Sequence, residues 1–183
     1  SAVTIRGDTD DPSDAEIVDA VLQSRAFAIV HPQARVANLT ISGTGYSWSS
    51  STGGHVQMSA GTVENCIVTG GYGAGTHRGG WGRGFGGNVY LSGGRLTRSK
   101  ITAGRGADHM SSATDDSHTS RGGGVCAEGD AVVDSCLIYG NGSATITYGG
   151  GVCLDGKAVM SNSTIADNTT DPAYPGAGVC IYS

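Results

Sequence analysis

One phrase recurs five times in this chain of 183 residues: Gly53-Gly54-His55-Val56, Gly86-Gly87-Asn88-Val89, Gly122-Gly123-Gly124-Val125, Gly149-Gly150-Gly151-Val152 and Gly176-Ala177-Gly178-Val179. The valines fall 33, 36, 27 and 27 residues apart. A period of that size marks a solenoid, in which each repeat is a coil that buries its apolar face only against its neighbours. The constraint is severe, because a chain organised in this way has a stacked core and no single central one.

A second phrase follows the same rhythm. Its copies are Val36-Ala37-Asn38-Leu39-Thr40-Ile41, Val63-Glu64-Asn65-Cys66-Ile67-Val68, Leu96-Thr97-Arg98-Ser99-Lys100-Ile101, Val133-Asp134-Ser135-Cys136-Leu137-Ile138 and Met160-Ser161-Asn162-Ser163-Thr164-Ile165. Positions one, four and six are apolar or small, whereas positions two and five tolerate charge. Period-two alternation places positions four and six on the inner face of a short strand, and the parity change at position three predicts a corner. Asn38, Asn65 and Asn162 stand at that corner, where asparagine tolerates left-handed backbone and its amide can bond to the next coil.

Together these phrases resemble the repeat of right-handed parallel β-helices of the pectate-lyase-like and polymorphic-outer-membrane-type surface proteins. The resemblance covers roughly residues 26–183. It implies an all-β, right-handed parallel β-helix solenoid of about five to six coils, with two long loops on one edge. That family includes polysaccharide lyases and hydrolases, autotransporter passengers, phage tailspikes and inert surface fibres, so the resemblance implies a fold more sharply than an activity.

Composition agrees. With 32 glycines, four prolines, 6% aromatic and 15% charged residues, the core must be built from stacked small and branched side chains. The glycines lack a period of three, which excludes collagen. A net charge of -5 without a Lys/Arg cluster argues against nucleic acid or an anionic membrane as partner. No apolar run approaches 18 residues, so no membrane span is expected. The abrupt ending, midway through a coil at Val179-Cys180-Ile181-Tyr182-Ser183, suggests a fragment of a longer protein, a processed product or a unit that stacks end to end.

Residues 1–25 read as an incomplete coil or a cap. Ala2-Val3-Thr4-Ile5-Arg6-Gly7 alternates as a strand does. Ser13-Asp14-Ala15-Glu16 has capping-box spacing, and Ile17, Val18, Val21 and Leu22 lie on one side of a would-be helix. A strand of the first coil and a short capping helix are both compatible with this segment.

Cys126, Cys153 and Cys180 each follow the repeat valine and are expected to form a column with coils about 4.8 Å apart. Packing, a disulfide within the column and metal binding are the three readings, the last weakened by the lack of a histidine in the column and of C-x-x-C spacing. Cys66 and Cys136 take position four, where Ser99 and Ser163 stand in other coils, and suit a small buried site.

The long intervals locate the candidate site. Extra residues at 70–85 and 104–121 leave the same edge, with Ser42 to Thr52 alongside. Tyr46, Trp48, Tyr72, Trp81 and Phe85 offer flat faces for sugar rings, and Arg83 and His109, with His77, Arg78 and His118, offer charge and hydrogen bonds. An alternative is that these aromatics pack the loops onto the solenoid wall.

Catalysis would need other groups. A lyase requires a cation and a base, for which Arg98 or Lys100 with Asp108 is available, and a glycoside hydrolase requires two carboxylates, for which Asp108 with Asp115 or Asp116 is the clustered choice. Neither set carries a family motif, no calcium loop is present and no cofactor is expected.

The sequence thus predicts a structural or adhesive β-helix segment of a secreted or surface-exposed bacterial protein, binding a polysaccharide or cell-surface glycan along its loop edge. A carbohydrate-active enzyme is the alternative. Head-to-tail self-association through open coil ends is a third reading.

Overall fold

The computed structural model describes residues 3–19, 25–43, 52–73, 84–106, 120–142, 147–170, 172 and 176–182. Among them there is no helix. The chain is an all-β parallel solenoid whose coils each lay down three short strands.

The first sheet holds β3 (Phe27–Ile29), β6 (Val56–Met58), β9 (Val89–Leu91), β13 (Val125–Ala127), β17 (Val152–Asp155) and β20 (Val179–Tyr182). The second holds β1 (Thr4–Arg6), β4 (Arg35–Ala37), β7 (Thr62–Glu64), β10 (Arg95–Thr97), β14 (Val132–Asp134) and β18 (Val159–Ser161). The third holds β2 (Glu16–Asp19), β5 (Thr40–Gly43), β8 (Ile67–Thr69), β11 (Lys100–Thr102), β15 (Leu137–Tyr139) and β19 (Thr164–Ala166). Five coils contribute one strand to every sheet, β1 and β2 precede them, and β20 follows. Pairing is in register throughout, so equivalent residues stack directly, as Val56, Val89, Val125, Val152 and Val179 do.

Stacking explains the apolar pattern. Val63, Leu96 and Val133 of the second sheet and Ile41, Val68, Ile101 and Ile138 of the third meet the repeat valines in one continuous core. Each such side chain contributes about 1.5–3 kcal/mol when fully buried.

The corner between the second and third sheets is built as its residue types require. Asn38, Asn65, Arg98, Ser135 and Asn162 all have left-handed backbone, with φ between 47° and 58°. The amide of Asn65 donates to Asn38 Oδ1 at 3.0 Å, and that of Asn162 donates to Asp134 Oδ1 at 3.0 Å. Glu64 lies beside this corner and accepts from Arg35 of the preceding coil and Arg98 of the following one.

Position four closes the same corner from inside. The Cys66 thiol donates to Glu64 O at 3.2 Å and Cys136 to Asp134 O at 3.3 Å, while the hydroxyls of Ser99 and Ser163 donate to Thr97 O at 2.8 Å and Ser161 O at 2.7 Å. Thiol and hydroxyl do one job in alternate coils. Cys66→Ser is therefore expected to change stability by less than about 1.5 kcal/mol, whereas Cys66→Val, which keeps the volume and loses the donor, costs about 1–3 kcal/mol. Urea-unfolding midpoints of the two variants check this.

The helical alternative for the N-terminal segment is overturned. Glu16 and Ile17 pair with Thr40 and Ile41, so the segment is a strand of the third sheet. Ile17 packs on the core while Val18 is 58% exposed, a period of two that a helix cannot give. Ser13 bonds to Asp11, and the Glu16 carboxylate accepts from Ser42, so no capping box forms. Val21 and Leu22 lie outside the described residues.

Candidate functional site

The third corner, where each coil ends and the next begins, holds the candidate site. The first glycine of each repeat phrase has φ between 60° and 78°, and a Cβ there would meet the carbonyl of the repeat valine at 2.0–2.4 Å. The second glycine answers a different demand. A Cβ on Gly54, Gly87, Gly123 or Gly150 would lie 2.0–2.4 Å from a carbonyl oxygen of the neighbouring backbone.

Buried polar groups fill what space remains. His55, Asn88 and Asn141 are fully or almost fully buried. The imidazole Nε2 of His55 bonds to Thr69 O at 3.0 Å. Asn88 accepts from Gly71 N at 2.8 Å and donates to Thr102 O at 2.9 Å. Asn141 accepts from Gly104 N at 2.9 Å and donates to Ile101 O at 3.0 Å, and Asn168 donates to Ile138 O at 3.0 Å. Where the coil starts with His55 or Asn88 it ends with Gly71 or Gly104, and where it starts with Gly124 or Gly151 it ends with Asn141 or Asn168. Sterics enforce the exchange: a Cβ on Gly124 would lie 2.8 Å from Asn141 Cγ, and one on Gly151 would lie 2.7 Å from Asn168 Nδ2. Each of these four coils thus carries one such side chain at this corner, and the Asn88 and Asn141 amides meet at 3.3 Å.

A groove of about 790 Å³ runs outside this ladder. Gly43, Gly70, Ala103, Gly140 and Asp167 line it, one from each of five successive coils, and all are left-handed with φ from 52° to 117°. Two residues further along four of these coils lies a second row, Tyr72, Arg105, Gly142 and Thr169, and Gly104 and Asn141 line the groove between the rows. Parallel bridges join Tyr72 to Arg105 and Gly142 to Thr169, and Gly142 N donates to Gly104 O at 2.9 Å between them. Four inter-strand steps of about 4.8 Å make the groove about 19 Å long.

The returning chain is fastened equally. Phe85 bridges Thr52 and Arg121, and β12 (Ser120–Arg121) pairs with β16 (Thr147–Tyr148). The bases of the segments leaving and re-entering the coils therefore lie side by side on one edge, as the repeat intervals predict.

Of the residues expected to bind a ligand, Tyr72 lines the groove. Phe85 does not: its ring lies 6.3 Å from that of Tyr90 and 5.5 Å from the Arg121 guanidinium, on the outside of the first sheet. Tyr46, Trp48, Trp81, Arg83 and His109 lie outside the described residues, as do His77, Arg78 and His118 and the carboxylates Asp108, Asp115 and Asp116. Arg98 is engaged with Glu64, and the Lys100 ammonium sits 5.2 Å from the centre of the Tyr139 ring. Arg105, Asn141, Asp167 and Thr169 also line the groove, and the sequence does not mark them as ligand-binding residues. The signal lay in their place, since each falls two to four residues after position six of the second phrase.

The cysteine column is present: Cys126 pairs in register with Cys153, and Cys153 with Cys180. All five cysteines are free thiols. No group of three or more metal-ligating side chains occurs among the described residues. No described helix is long and apolar enough to cross a membrane. Comparisons with models of known protein families, with curated proteins and with solved structures find no match.

Proposed function

We propose that this chain is a scaffold segment of a secreted or surface-exposed bacterial protein that holds a linear glycan along the third-corner groove. The observation that carries this reading is the groove's form, a trough of about 790 Å³ lined by one residue of left-handed backbone from each of five coils. A repeating trough suits a repeating ligand. Tyr72 supplies a face for a sugar ring, Arg105 a cation for an acidic unit, and Asp167 and Thr169 supply polar partners. The resemblance of the repeats to extracellular β-helices supports the surface setting.

A non-catalytic role is the better-supported part of the proposal, since Arg98 and Lys100, the cations considered for a lyase, are engaged elsewhere. The test is a panel of acidic and neutral polysaccharides, followed by pull-down and by release of unsaturated or reducing ends. Retention of a polymer is expected, weakened about tenfold, or ~1.4 kcal/mol, by Tyr72→Ala. Arg105→Ala weakens acidic polymers more than neutral ones. Product release would make the chain an enzyme, and retention unchanged in both variants would remove the groove as the binding site.

A further inference from the structure

At one turn the fold demands two adjacent residues that react with each other when nothing holds them apart. Asn141 is the amide of its coil, because Gly124 leaves the third corner to be filled from the coil's end. Gly142 is demanded by the next coil: a Cβ there would lie 2.2 Å from Thr169 O and 2.4 Å from Thr169 Oγ1, and its φ is 145°. The outcome is the only asparagine in the chain that is followed by glycine. The equivalent pairs of neighbouring coils are Gly71-Tyr72, Gly104-Arg105 and Asn168-Thr169. An asparagine amide is open to attack by the backbone nitrogen that follows it, and a glycine, having no side chain, leaves that nitrogen unshielded and free to turn.

Both partners in that attack are restrained here. Asn141 is 2% exposed. Its Oδ1 accepts from Gly104 N at 2.9 Å and lies 3.3 Å from Asn88 Nδ2. Its Nδ2 donates to Ile101 O at 3.0 Å and Tyr139 O at 3.1 Å, with Asn168 Oδ1 3.0 Å away. The attacking nitrogen is occupied too, since Gly142 N donates to Gly104 O at 2.9 Å, and Asn141 N donates to Asn168 Oδ1 at 3.0 Å. While the corner is closed, the amide cannot swing over Gly142 N without giving up these bonds, and that nitrogen cannot pass its proton to solvent.

We propose that Asn141-Gly142 is a conformation-gated deamidation site, intact while the third corner is closed and converted to aspartate or isoaspartate when that corner opens to water.

The chemistry needs water alone. Gly142 N gives its proton to hydroxide and bonds to Asn141 Cγ, the Cγ–Nδ2 bond breaks, and Nδ2 takes a proton and leaves as ammonia. Water then opens the succinimide at either carbonyl, leaving aspartate or isoaspartate. Neither product fits the closed corner. A carboxylate has no hydrogen to offer Ile101 O and Tyr139 O, so its oxygens face two carbonyl oxygens in a place without water. Isoaspartate also adds a methylene to the main chain, which displaces Gly142 from Gly104 O and Thr169. Local opening is a smaller event than unfolding of the whole stack, and an opening that is chemically recorded is not reversed. One residue pair thereby ties the working life of the solenoid to the closure of a single corner.

The test incubates the full chain in mildly alkaline buffer with and without urea, and follows every asparagine by peptide mass and isoaspartate labelling. In urea Asn141 should convert first, ahead of Asn38, Asn65, Asn88, Asn162 and Asn168. In the folded chain its conversion should be at least about a hundredfold slower, the effect of an opening that costs ~2.7 kcal/mol. Asn168→Ala, which removes a clasp on Asn141 without touching the reacting pair, should speed conversion in the folded chain about tenfold and leave the rate in urea unchanged. Asn65→Ala breaks an amide ladder at the other corner and should leave both rates unchanged. Asn141→Asp, which supplies the product directly, should unfold at lower urea than the parent. Another asparagine converting first in urea, a folded chain converting within threefold of the unfolded one, equal acceleration by Asn65→Ala and Asn168→Ala, or an unchanged urea midpoint for Asn141→Asp would each overturn the proposal. The comparison of folded and unfolded parent chain decides the matter even where Asn168→Ala does not fold.

Discussion

Gly87→Ala is expected to destabilise the solenoid by more than about 3 kcal/mol, beyond the strain that one awkward backbone torsion stores. The new Cβ would lie 2.0 Å from Gly123 O and 2.6 Å from both the N and O of Arg105, all backbone atoms with no side-chain freedom to yield. Relief requires the coils to part, and parting breaks the bonds from Gly87 N to Gly122 O and from Val89 N to Gly124 O. The equivalent position of the last coil carries Ala177, whose methyl is exposed. Ala177→Gly should accordingly shift stability by no more than about 1 kcal/mol, the entropic difference between the two residues. Urea midpoints of the pair decide the matter, and a Gly87→Ala protein within about 1 kcal/mol of the parent would show that the coils have slack.

Asn141→Gly is expected to cost about 2–5 kcal/mol, because it leaves Gly104 N and the carbonyls of Ile101 and Tyr139 without this partner in a buried corner. The exchange of amide and glycine between coil start and coil end supplies a sharper form of this experiment. Adding Gly124→Asn to Asn141→Gly converts this coil to the arrangement of the preceding one, which pairs Asn88 with Gly104. Part of the loss should return in the double variant, which relieves the 2.8 Å approach of the new Cβ to Asn141 Cγ and keeps its 2.8 Å approach to Gly151 O, whereas Gly124→Asn alone meets both. A double-mutant cycle with a coupling below about 0.5 kcal/mol would mean that the two positions do not share one site.

Much of this architecture was legible because the coils are nearly identical and their demands are local. The repeat valines, the left-handed corner at Asn38, Asn65 and Asn162, and the column of Cys126, Cys153 and Cys180 all follow from spacing and period. What escaped notice is what coils do differently from one another. Strand β3 begins at Phe27 without a glycine of the repeat phrase before it, and is defined by pairing with β6. The amides at 88, 141 and 168, the first two buried and the third half-buried, change sides of the corner, so no single column of the repeat reveals them. Phe85 and Tyr72 look alike as aromatics in one insertion, yet they stand at its two bases and face different surroundings, Phe85 beneath Arg121 and Tyr72 in the groove. Side-chain direction at an insertion's base depends on which neighbour the backbone bridges, and that is a property of two coils at once.

The bridged bases have an evolutionary consequence. Tyr72 and Phe85 enclose residues 73–84, Arg105 and Arg121 enclose 106–120, and Gly142 and Tyr148 enclose 143–147, spans of 12, 15 and 5 residues on the same pattern of bases. Because the ends of each span are clasped to neighbouring coils, its length is insulated from the stack, and doubling it adds only about 0.6 kcal/mol of closure entropy. Insertions can therefore be traded, lengthened or shortened as cassettes while the coils beneath keep their register, so a lineage can revise what this edge presents without reopening the problem of how it folds.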